Sequence, residues 1–209
     1  MRIMNNAIKN RYSKLADDNC CLSCGGAMEK SGATAGEVCI DLGSGRGTDV
    51  IRLAEMVGPG GFVYGVDSTP EMIKKGRSAA QKLGIENAGF ILSDLESIAI
   101  ESNTADLIIS NCVINHANDK DRVWNEIFRL LKKGGRVVIS DIYSLESVPS
   151  EYSSDADAVA ECWAGAVTRD EYLSSVVKAG LRNIEVIEES KPYEKGRIKV
   201  CSFTFSAIK

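Results

Sequence analysis

The stretch Glu37-Val-Cys-Ile-Asp-Leu-Gly-Ser-Gly-Arg-Gly47 decides the fold, because a strand of buried type runs directly into closely spaced glycines. Apolar residues at helical spacing follow from Asp49 to Val57 and stop at Gly58-Pro59. Glycines let the backbone approach a ligand closely, and the start of the following helix presents free N–H groups. The sequence therefore predicts a strand, a ligand-binding loop and a helix in direct succession.

The same alternation of strand and helix continues along the chain. Further strands are predicted at 61–67, 89–93, 106–112 and 136–141. Helices are predicted at about 69–83 and from Asn118 or Asp119 to about Leu131, and the turn Lys133-Gly134-Gly135 leads into the fifth strand. Strands that alternate with helices of this length indicate βαβ units and a parallel sheet.

The end of the chain departs from this alternation. Thr168 and Glu171 form the pattern of a capping box, which predicts a helix that runs to about Ala179. Two strands, 183–187 and 199–205, follow with only a predicted hairpin loop, 191–197, between them. The sheet should therefore end in an antiparallel pair.

Composition limits the function classes. The 209 residues suit a single domain, and 25 Lys and Arg against 29 Asp and Glu give a net charge of −4. This balance argues against nucleic acid or an anionic membrane surface as partner. No apolar run approaches the ~20 residues of a membrane span, and no apolar signal-peptide core follows the first residues. We therefore expect a cytoplasmic protein.

Seven cysteines stand out in such a chain: Cys20, Cys21, Cys24, Cys39, Cys112, Cys162 and Cys201. The number is odd, and the expected compartment is reducing, so a disulfide scaffold is not predicted. Metal, metalloid or catalytic thiol chemistry is the remaining explanation for several of them. Cys39 lies inside the first strand and Cys112 ends the fourth, so both are predicted to pack rather than to bind a ligand.

The glycine loop does not have the nicotinamide spacing, because Thr48 occupies the place of the third glycine in G-x-G-x-x-G. The second strand ends at Asp67, whose carboxylate is suited to accept hydrogen bonds from both hydroxyls of a ribose. Together, the segment Asp41–Gly47, Asp67, the step Ser93-Asp94-Leu95 and Leu131-Lys-Lys-Gly-Gly135 resemble class I S-adenosylmethionine-dependent methyltransferases. The resemblance covers the chain from about residue 37 to its end.

This resemblance implies an α/β, Rossmann-like fold: a seven-stranded, mostly parallel sheet with an antiparallel last strand and helices on both faces. It implies S-adenosylmethionine as cofactor, with Gly43 and Gly45 along its methionine portion and Asp67 on its ribose. The remaining implied cofactor residues are Asp94 and Leu95 beside the adenine, Asn111 at the methionine carbonyl or amine, and Asp41, Ser44 and Ser68. Asp94 has an alternative role as a helix N-cap.

A narrower resemblance is to arsenite methyltransferases. The segments that carry it are 65–73, 109–115, 119–120 and 161–166, together with Leu22-Ser-Cys24-Gly25 upstream. Trivalent arsenic is soft and prefers thiolate sulfur. Two or three thiolates can hold it with its lone pair free to attack a sulfonium methyl group in line, and the protein then needs only to position the reactants and exclude water.

The resemblance implies Cys24 and Cys162 as arsenite ligands. A third thiolate is left open, because the register of Cys201 is shifted from the family's position: Cys201, Cys20 or Cys21 supplies it, or it is missing. Cys20-Cys-x-x-Cys24 has a weaker alternative as a zinc site, since it lacks a fourth ligand at zinc-finger spacing. Arsenite, free or as a thiol conjugate, is therefore the expected substrate, a thiol reductant the expected partner, and no resident metal is expected.

Two other function classes remain open: a methyltransferase for a small organic acceptor such as a quinone, and a non-catalytic protein that binds a metalloid or metal. We expect one domain over 1–209, with a helical, Cys-rich extension at 1–36 and an irregular substrate-side segment at 144–167. Tyr12 would close over the cofactor if the N-terminal helix folds back. His116, in a loop after the fourth strand, is predicted to be a surface residue, with a place near the acceptor as the alternative.

Overall fold

The computed structural model describes residues 2–15 and 25–209, with side chains from residue 7 onward. Within these ranges one sheet contains all strands: β1 (Val38–Leu42), β2 (Phe62–Asp67), β3 (Ala88–Leu92), β4 (Ala105–Asn111), β5 (Leu131–Ser144), β6 (Arg182–Glu189), β7 (Tyr193–Lys195) and β8 (Ile198–Ile208). Their order is β3-β2-β1-β4-β5-β8-β6, and β7 pairs with β8. The predicted class, α/β with a mostly parallel sheet, is confirmed.

The helices are α1 (Arg2–Leu15), α2 (Ala27–Lys30), α3 (Thr48–Val57), α4 (Pro70–Lys82), α5 (Lys120–Leu130), α6 (Ser150–Ser153), α7 (Ala156–Val159) and α8 (Arg169–Lys178), with 3-10 turns at Ile114–His116 and Trp163–Gly165. Asp119 caps α5 by accepting from the N–H of Arg122, and the predicted capping box of Thr168 and Glu171 opens α8. In the described ranges no helix has the length and apolar character needed to cross a membrane.

The strand order places a ligand crevice at the centre of the sheet. From β1 the chain moves outward through β2 to β3, and it then returns to the other side of β1 as β4 and continues to β5. All pairs from β3 to β5 are parallel, whereas β8 runs antiparallel to both β5 and β6. In such sheets ligands bind at the carboxyl ends of the two strands where the direction of progression reverses, here β1 and β4.

Two details differ from the sequence predictions. The expected hairpin loop 191–197 contains the short strand β7, so the described sheet has eight strands instead of seven. The fifth strand begins at Leu131 rather than Arg136: Ala105 pairs with Leu131 but Leu107 pairs with Arg136, so β5 carries extra residues between the two pairs. The predicted glycine turn is therefore a bulge inside β5, which keeps the strand paired on both sides of it.

The two faces of the sheet bury separate apolar clusters. Trp124 of α5 and Tyr172 of α8 pack on one face against Ile40 and Phe205, whereas Leu53 of α3 packs on the other face. Cys39 belongs to this second cluster and is fully buried, as predicted, and burial raises the pKa of its thiol to about 12. A thiol held protonated in this way is structural and has no role in ligand binding.

The segment 144–167 leaves the sheet at the end of β5 and returns to the same place. The N–H of Ser144 donates to the carbonyl of Val167 (2.9 Å), and Ser144 forms an isolated bridge with Thr168. Between these points lie α6, α7 and the second 3-10 turn, so the segment predicted to be irregular contains short helices. Closure at its base holds the loop, with Cys162, against the carboxyl edge of the sheet.

Candidate active site

A cavity opens at the carboxyl ends of β1, β2 and β4, where the topology places the crevice. Its volume is about 140 Å³. The sequence-predicted residues in its wall are Gly43, Gly45, Asp67, Ser68, Asp94, Leu95, Asn111 and Cys162. Residues more than 100 positions apart in the chain thus converge on one cavity.

The glycine loop forms the floor of the cavity with its backbone. Gly43 has φ +73°, and a Cβ there would lie 2.7 Å from the side chain of Val113, so only glycine fits without strain. A Cβ on Gly45 would meet nothing within 4 Å, because this residue faces open space. A ligand can therefore approach the loop backbone closely, as a cofactor with a polar methionine portion requires.

Asp67 connects the glycine loop to the end of β2. Its carboxylate accepts from the N–H of Gly45 (2.9 Å) and from the N–H of Thr69 (2.8 Å). Burial raises the pKa of Asp67, and these hydrogen bonds oppose that shift. The carboxylate thus holds the loop and lies in the cavity wall, and its contact with a ribose stays a prediction.

Asp41 and Ser44 lie beneath the loop rather than in the cavity wall. Asp41 is buried, and burial together with the nearby charges of Asp49 and Asp67 raises the pKa of its carboxyl group. The Ser44 hydroxyl is buried and has no hydrogen-bond partner among the described residues. Their position supports a role in shaping the loop, and contact with a cofactor stays a prediction for both.

Asn111 ends β4 and ties two other segments to the cavity. Its Oδ1 accepts from the N–H of Ala27 (3.2 Å), and its Nδ2 donates to Asp49 (3.2 Å). The amide therefore anchors the chain just after the upstream cysteines. Cys20, Cys21 and Cys24 themselves lie outside the described residues, so their assignment as arsenite ligands, and the zinc alternative, stay predictions.

Two cysteines meet in the cavity wall. The Cys162 thiol donates to the carbonyl oxygen of Cys112 (3.0 Å), and the two residues have φ values of 73° and 53°. In the described chain, the other non-glycine residues with positive φ are asparagines, which tolerate this conformation. Such strain persists where the surrounding structure enforces it, and it is concentrated at functional sites.

Helix α1 closes the cavity from outside. Tyr12 contributes to the wall, and its hydroxyl lies 3.8 Å from the Cys162 sulfur. Three surface contacts hold the helix in place: Lys9 with Asp94 (3.6 Å), Arg11 with Glu161 (3.6 Å) and Ser13 with Glu71 (2.8 Å). The N-terminal helix thus folds back over the cavity, which was the condition for Tyr12 to close over the site.

His116 was predicted to be a surface residue, and this is wrong. The 3-10 turn after β4 directs its ring into the cavity wall, where its Nε2 atom is buried. The ring packs edge-on against Tyr12, with centroids 5.6 Å apart. The position of His116 directly after the distinctive 110–115 segment was the sequence signal for a place in the site. The direction of its ring, however, is set only by the local turn.

Cys201, a candidate for the third thiolate, is not brought to this cavity. It is buried in β8 beside Tyr143 and Phe203, whereas its neighbour Val200 packs in the cluster that contains Cys162. Because successive strand residues point to opposite faces, Cys201 lies on the other side of the sheet. The described ranges hold no group of three or more His, Cys, Asp or Glu suited to a metal ion.

A buried polar network fixes the turn that carries Cys112 and His116. Asp141 of β5 accepts from Asn115 Nδ2 (2.9 Å), from the Tyr172 hydroxyl (2.9 Å) and from the backbone N–H of Ile142 (2.8 Å). Burial raises the pKa of Asp141 to about 6. The cavity wall therefore depends on a carboxyl group that titrates in the weakly acidic range.

The variant Asp141→Asn is expected to remove a pH dependence of the free energy of unfolding. The folded protein binds the Asp141 proton more tightly than the unfolded chain, so ionisation between about pH 4 and pH 6 lowers stability as the pH rises. The shift corresponds to about 3 kcal/mol. The Tyr172 hydroxyl can turn to accept from the new amide, so the contact between the two side chains is kept. Urea unfolding at several pH values should show that the free energy of unfolding of the variant rises relative to that of the wild type as the pH rises.

Asp106→Asn is the control of opposite sign. Burial would raise the pKa of Asp106, but hydrogen bonds from Lys132 and from the Val38 N–H outweigh it and lower the pKa. Its ionised form is favoured by folding, so this variant should lose stability relative to the wild type as pH rises. Parallel pH profiles for the wild type and Asp141→Asn would contradict the assignment.

Comparison with known proteins places this geometry in a family. The arsenite methyltransferase of Halobacterium salinarum is 38% identical over 173 residues, 83% of this chain and 44% of that protein. The one from Aquipseudomonas alcaligenes is 35% identical over 157 residues, 72% of this chain and 45% of that protein. The chain therefore spans less than half the length of these relatives.

A solved structure is similar over nearly the whole chain. CrArsM of Chlamydomonas reinhardtii, an arsenic(III) S-adenosylmethionine methyltransferase, superimposes with a TM-score of 0.77 at 28% identity, covering 99% of this chain and 73% of that one. The family model of the methyltransferase domain matches residues 33–180. With its glycine floor, its Asp67 carboxylate and its strand order, the chain belongs to the methyltransferase domain family.

Proposed function

We propose that this protein transfers the methyl group of S-adenosylmethionine to arsenite held by the thiolates of Cys162 and Cys24. The observation that carries the proposal is that Cys162 lines the cavity. It does so in a strained turn, and its thiol donates to the carbonyl of Cys112. The similarity to arsenite methyltransferases supports the same acceptor.

The residues of the cavity fit the cofactor. The Asp67 carboxylate lies in the cavity wall as an acceptor for the ribose hydroxyls, and the open face of Gly45 leaves room for the methionine portion. Leu95 offers an apolar surface for the adenine, and Asp94 lies at the same end of the cavity. When bound, S-adenosylmethionine supplies an electrophilic methyl group on a sulfonium sulfur.

Cys162 acts as the anchor of the acceptor. Each thiol that binds arsenite forms one As–S bond, and its proton leaves with an arsenic hydroxyl as water, so no oxidant or reductant is consumed. The arsenic keeps its lone pair, which forms an As–C bond as the bond from the methyl carbon to the sulfonium sulfur breaks. The cofactor leaves as a neutral thioether, and the arsenic, formally oxidised by two electrons, is returned to the trivalent state by the thiol reductant. The protein positions the reactants and excludes water with α1 and Tyr12.

Cys24 is proposed as the second anchor from its place in the sequence. The N–H of Ala27, three residues later, donates to Asn111 in the cavity wall, which supports an approach of this segment to the site. Thiols must be reduced to bind arsenic, so we also propose a thiol reductant as partner and the cytoplasm as the setting.

Incubation of the full chain with methyl-labelled S-adenosylmethionine, arsenite and a thiol reductant tests the proposal. We expect labelled methylated arsenic that depends on all three components, with the products resolved by arsenic speciation. Arsenite binding without any methylated product would instead support a non-catalytic metalloid-binding protein. Label found in an added quinone but not in arsenic would support an organic acceptor.

A further inference from the structure

His116 presents an unused polar atom at the acceptor end of the cavity. Its ring hydrogen-bonds the backbone of Ala160, an interaction that raises its pKa and in which the ring is therefore the donor. Nε2 is buried and has no hydrogen-bond partner among the residues that the structure describes. Nδ1 thus carries the hydrogen, and the lone pair belongs to Nε2.

The ring is neutral at physiological pH. Burial, followed by the charges of Lys120 and Arg11, lowers the pKa of His116 to about 4. A buried acceptor without a partner costs free energy. A bound ligand that donates a hydrogen bond would remove this cost.

The lone pair lies near the proposed anchor. Tyr12 packs its ring edge-on against His116 and places its hydroxyl 3.8 Å from the Cys162 sulfur. Both groups therefore contact one tyrosine side chain, and both line the same cavity. An acceptor bound to Cys162 would therefore share this part of the cavity with the histidine.

The number of thiolates that bind arsenite determines how many of its hydroxyls remain as hydrogen-bond donors. The proposed function holds arsenite by two thiolates, those of Cys162 and Cys24. Of the other cysteines that the structure describes, Cys201 lies on the other face of the sheet, and Cys112 occupies a turn with its carbonyl bound to Cys162. Arsenite has three hydroxyls. When two thiols replace two of them, two waters leave and one As–O–H remains as a hydrogen-bond donor.

We propose that His116 Nε2 accepts a hydrogen bond from the one hydroxyl that arsenite retains when two thiolates hold it. This inference rests on the proposed function and makes His116 a determinant of acceptor specificity. The site then selects an inorganic arsenic species with a free hydroxyl. A monomethylated arsenic species, which has only two hydroxyls, loses both to the thiols and has nothing to donate to His116.

The test compares these two acceptors in the wild type and in His116→Leu, which removes the lone pair at similar volume. We expect arsenite affinity, measured by calorimetry on the full chain with reductant, to fall roughly tenfold, since one hydrogen bond is lost and one hydroxyl is left unpaired. Affinity for monomethylarsonous acid should change by less than about twofold, because it makes no such bond. His116→Gln, which restores an acceptor oxygen, should recover part of the arsenite affinity.

Equal losses for both arsenicals would overturn the inference and indicate a packing role. An unchanged arsenite affinity in His116→Leu would also overturn it. Failure of the proposed function looks different, because the wild type would then form no methylated arsenic, whether or not it binds the arsenicals. S-adenosylmethionine binding, measured in parallel, reports whether each variant is folded.

Discussion

Cys162→Ser is expected to lower arsenite methylation by at least about 100-fold, because positioning of the reacting atom supplies a large part of such a rate enhancement. Serine offers a hard oxygen in place of the soft thiolate that arsenic prefers. It keeps the size of the side chain and can still donate to the carbonyl of Cys112, so the strained turn should persist. Initial rates of label transfer to arsenic, with cofactor affinity measured in parallel, check this prediction.

Cys201→Ser is the matched control. It makes the same exchange of sulfur for oxygen at a buried cysteine, but on the face of the sheet away from the cavity, beside Tyr143. We expect its turnover to stay within about twofold of the wild type. Turnover retained in Cys162→Ser would refute the thiolate mechanism, and turnover lost in Cys201→Ser would make Cys201 the third ligand.

Asp67→Ala should lower the affinity for S-adenosylmethionine by about 100-fold. The variant removes the acceptor for the ribose hydroxyls and also the bonds that join Gly45 and Thr69. Hydrogen bonds to a charged group contribute about 1.5–3 kcal/mol each, so the loss of two accounts for this factor. Calorimetric titration with the cofactor measures it directly, and circular dichroism checks the fold.

Asp94→Ala tests whether any carboxylate at this cavity has the same effect. Asp94 also lines the cavity, but 59% of its side chain is exposed and its contact with Lys9 spans 3.6 Å. Water competes with such a group, and its removal should weaken cofactor binding by less than about fivefold. Equal affinities of Asp67→Ala and the wild type would exclude Asp67 as the ribose residue.

The local sequence predicted the part of the site that depends on nearest neighbours. The strand, the glycines and the helix after them are contiguous in 37–57, and Asp67 ends the next strand of the same unit. Parallel pairing of β1 and β2 then brings this carboxylate to the loop, because both strands end at the same edge. Asp41 and Ser44 belong to the same segment, yet neither lines the cavity, and both are buried.

The acceptor side was less predictable, because it depends on contacts between distant residues. The direction of His116 is set by one 3-10 turn, and the position of Tyr12 depends on where α1 docks. The short strand β7 forms because β8 offers a free edge to the loop before it. None of these follows from periodicity or turn residues.

By itself, the sequence determined the class of fold and the glycine loop, and it made Cys162 a candidate thiolate, because each of these follows from a local pattern of residues. Only the tertiary structure decided which cysteines share a cavity. Closure of the 144–167 loop carries Cys162 to Cys112 across 50 positions, whereas strand alternation turns Cys201 to the opposite face. The physical reason is that a ligand set is a property of distances between side chains, and those distances are set by sheet order and packing.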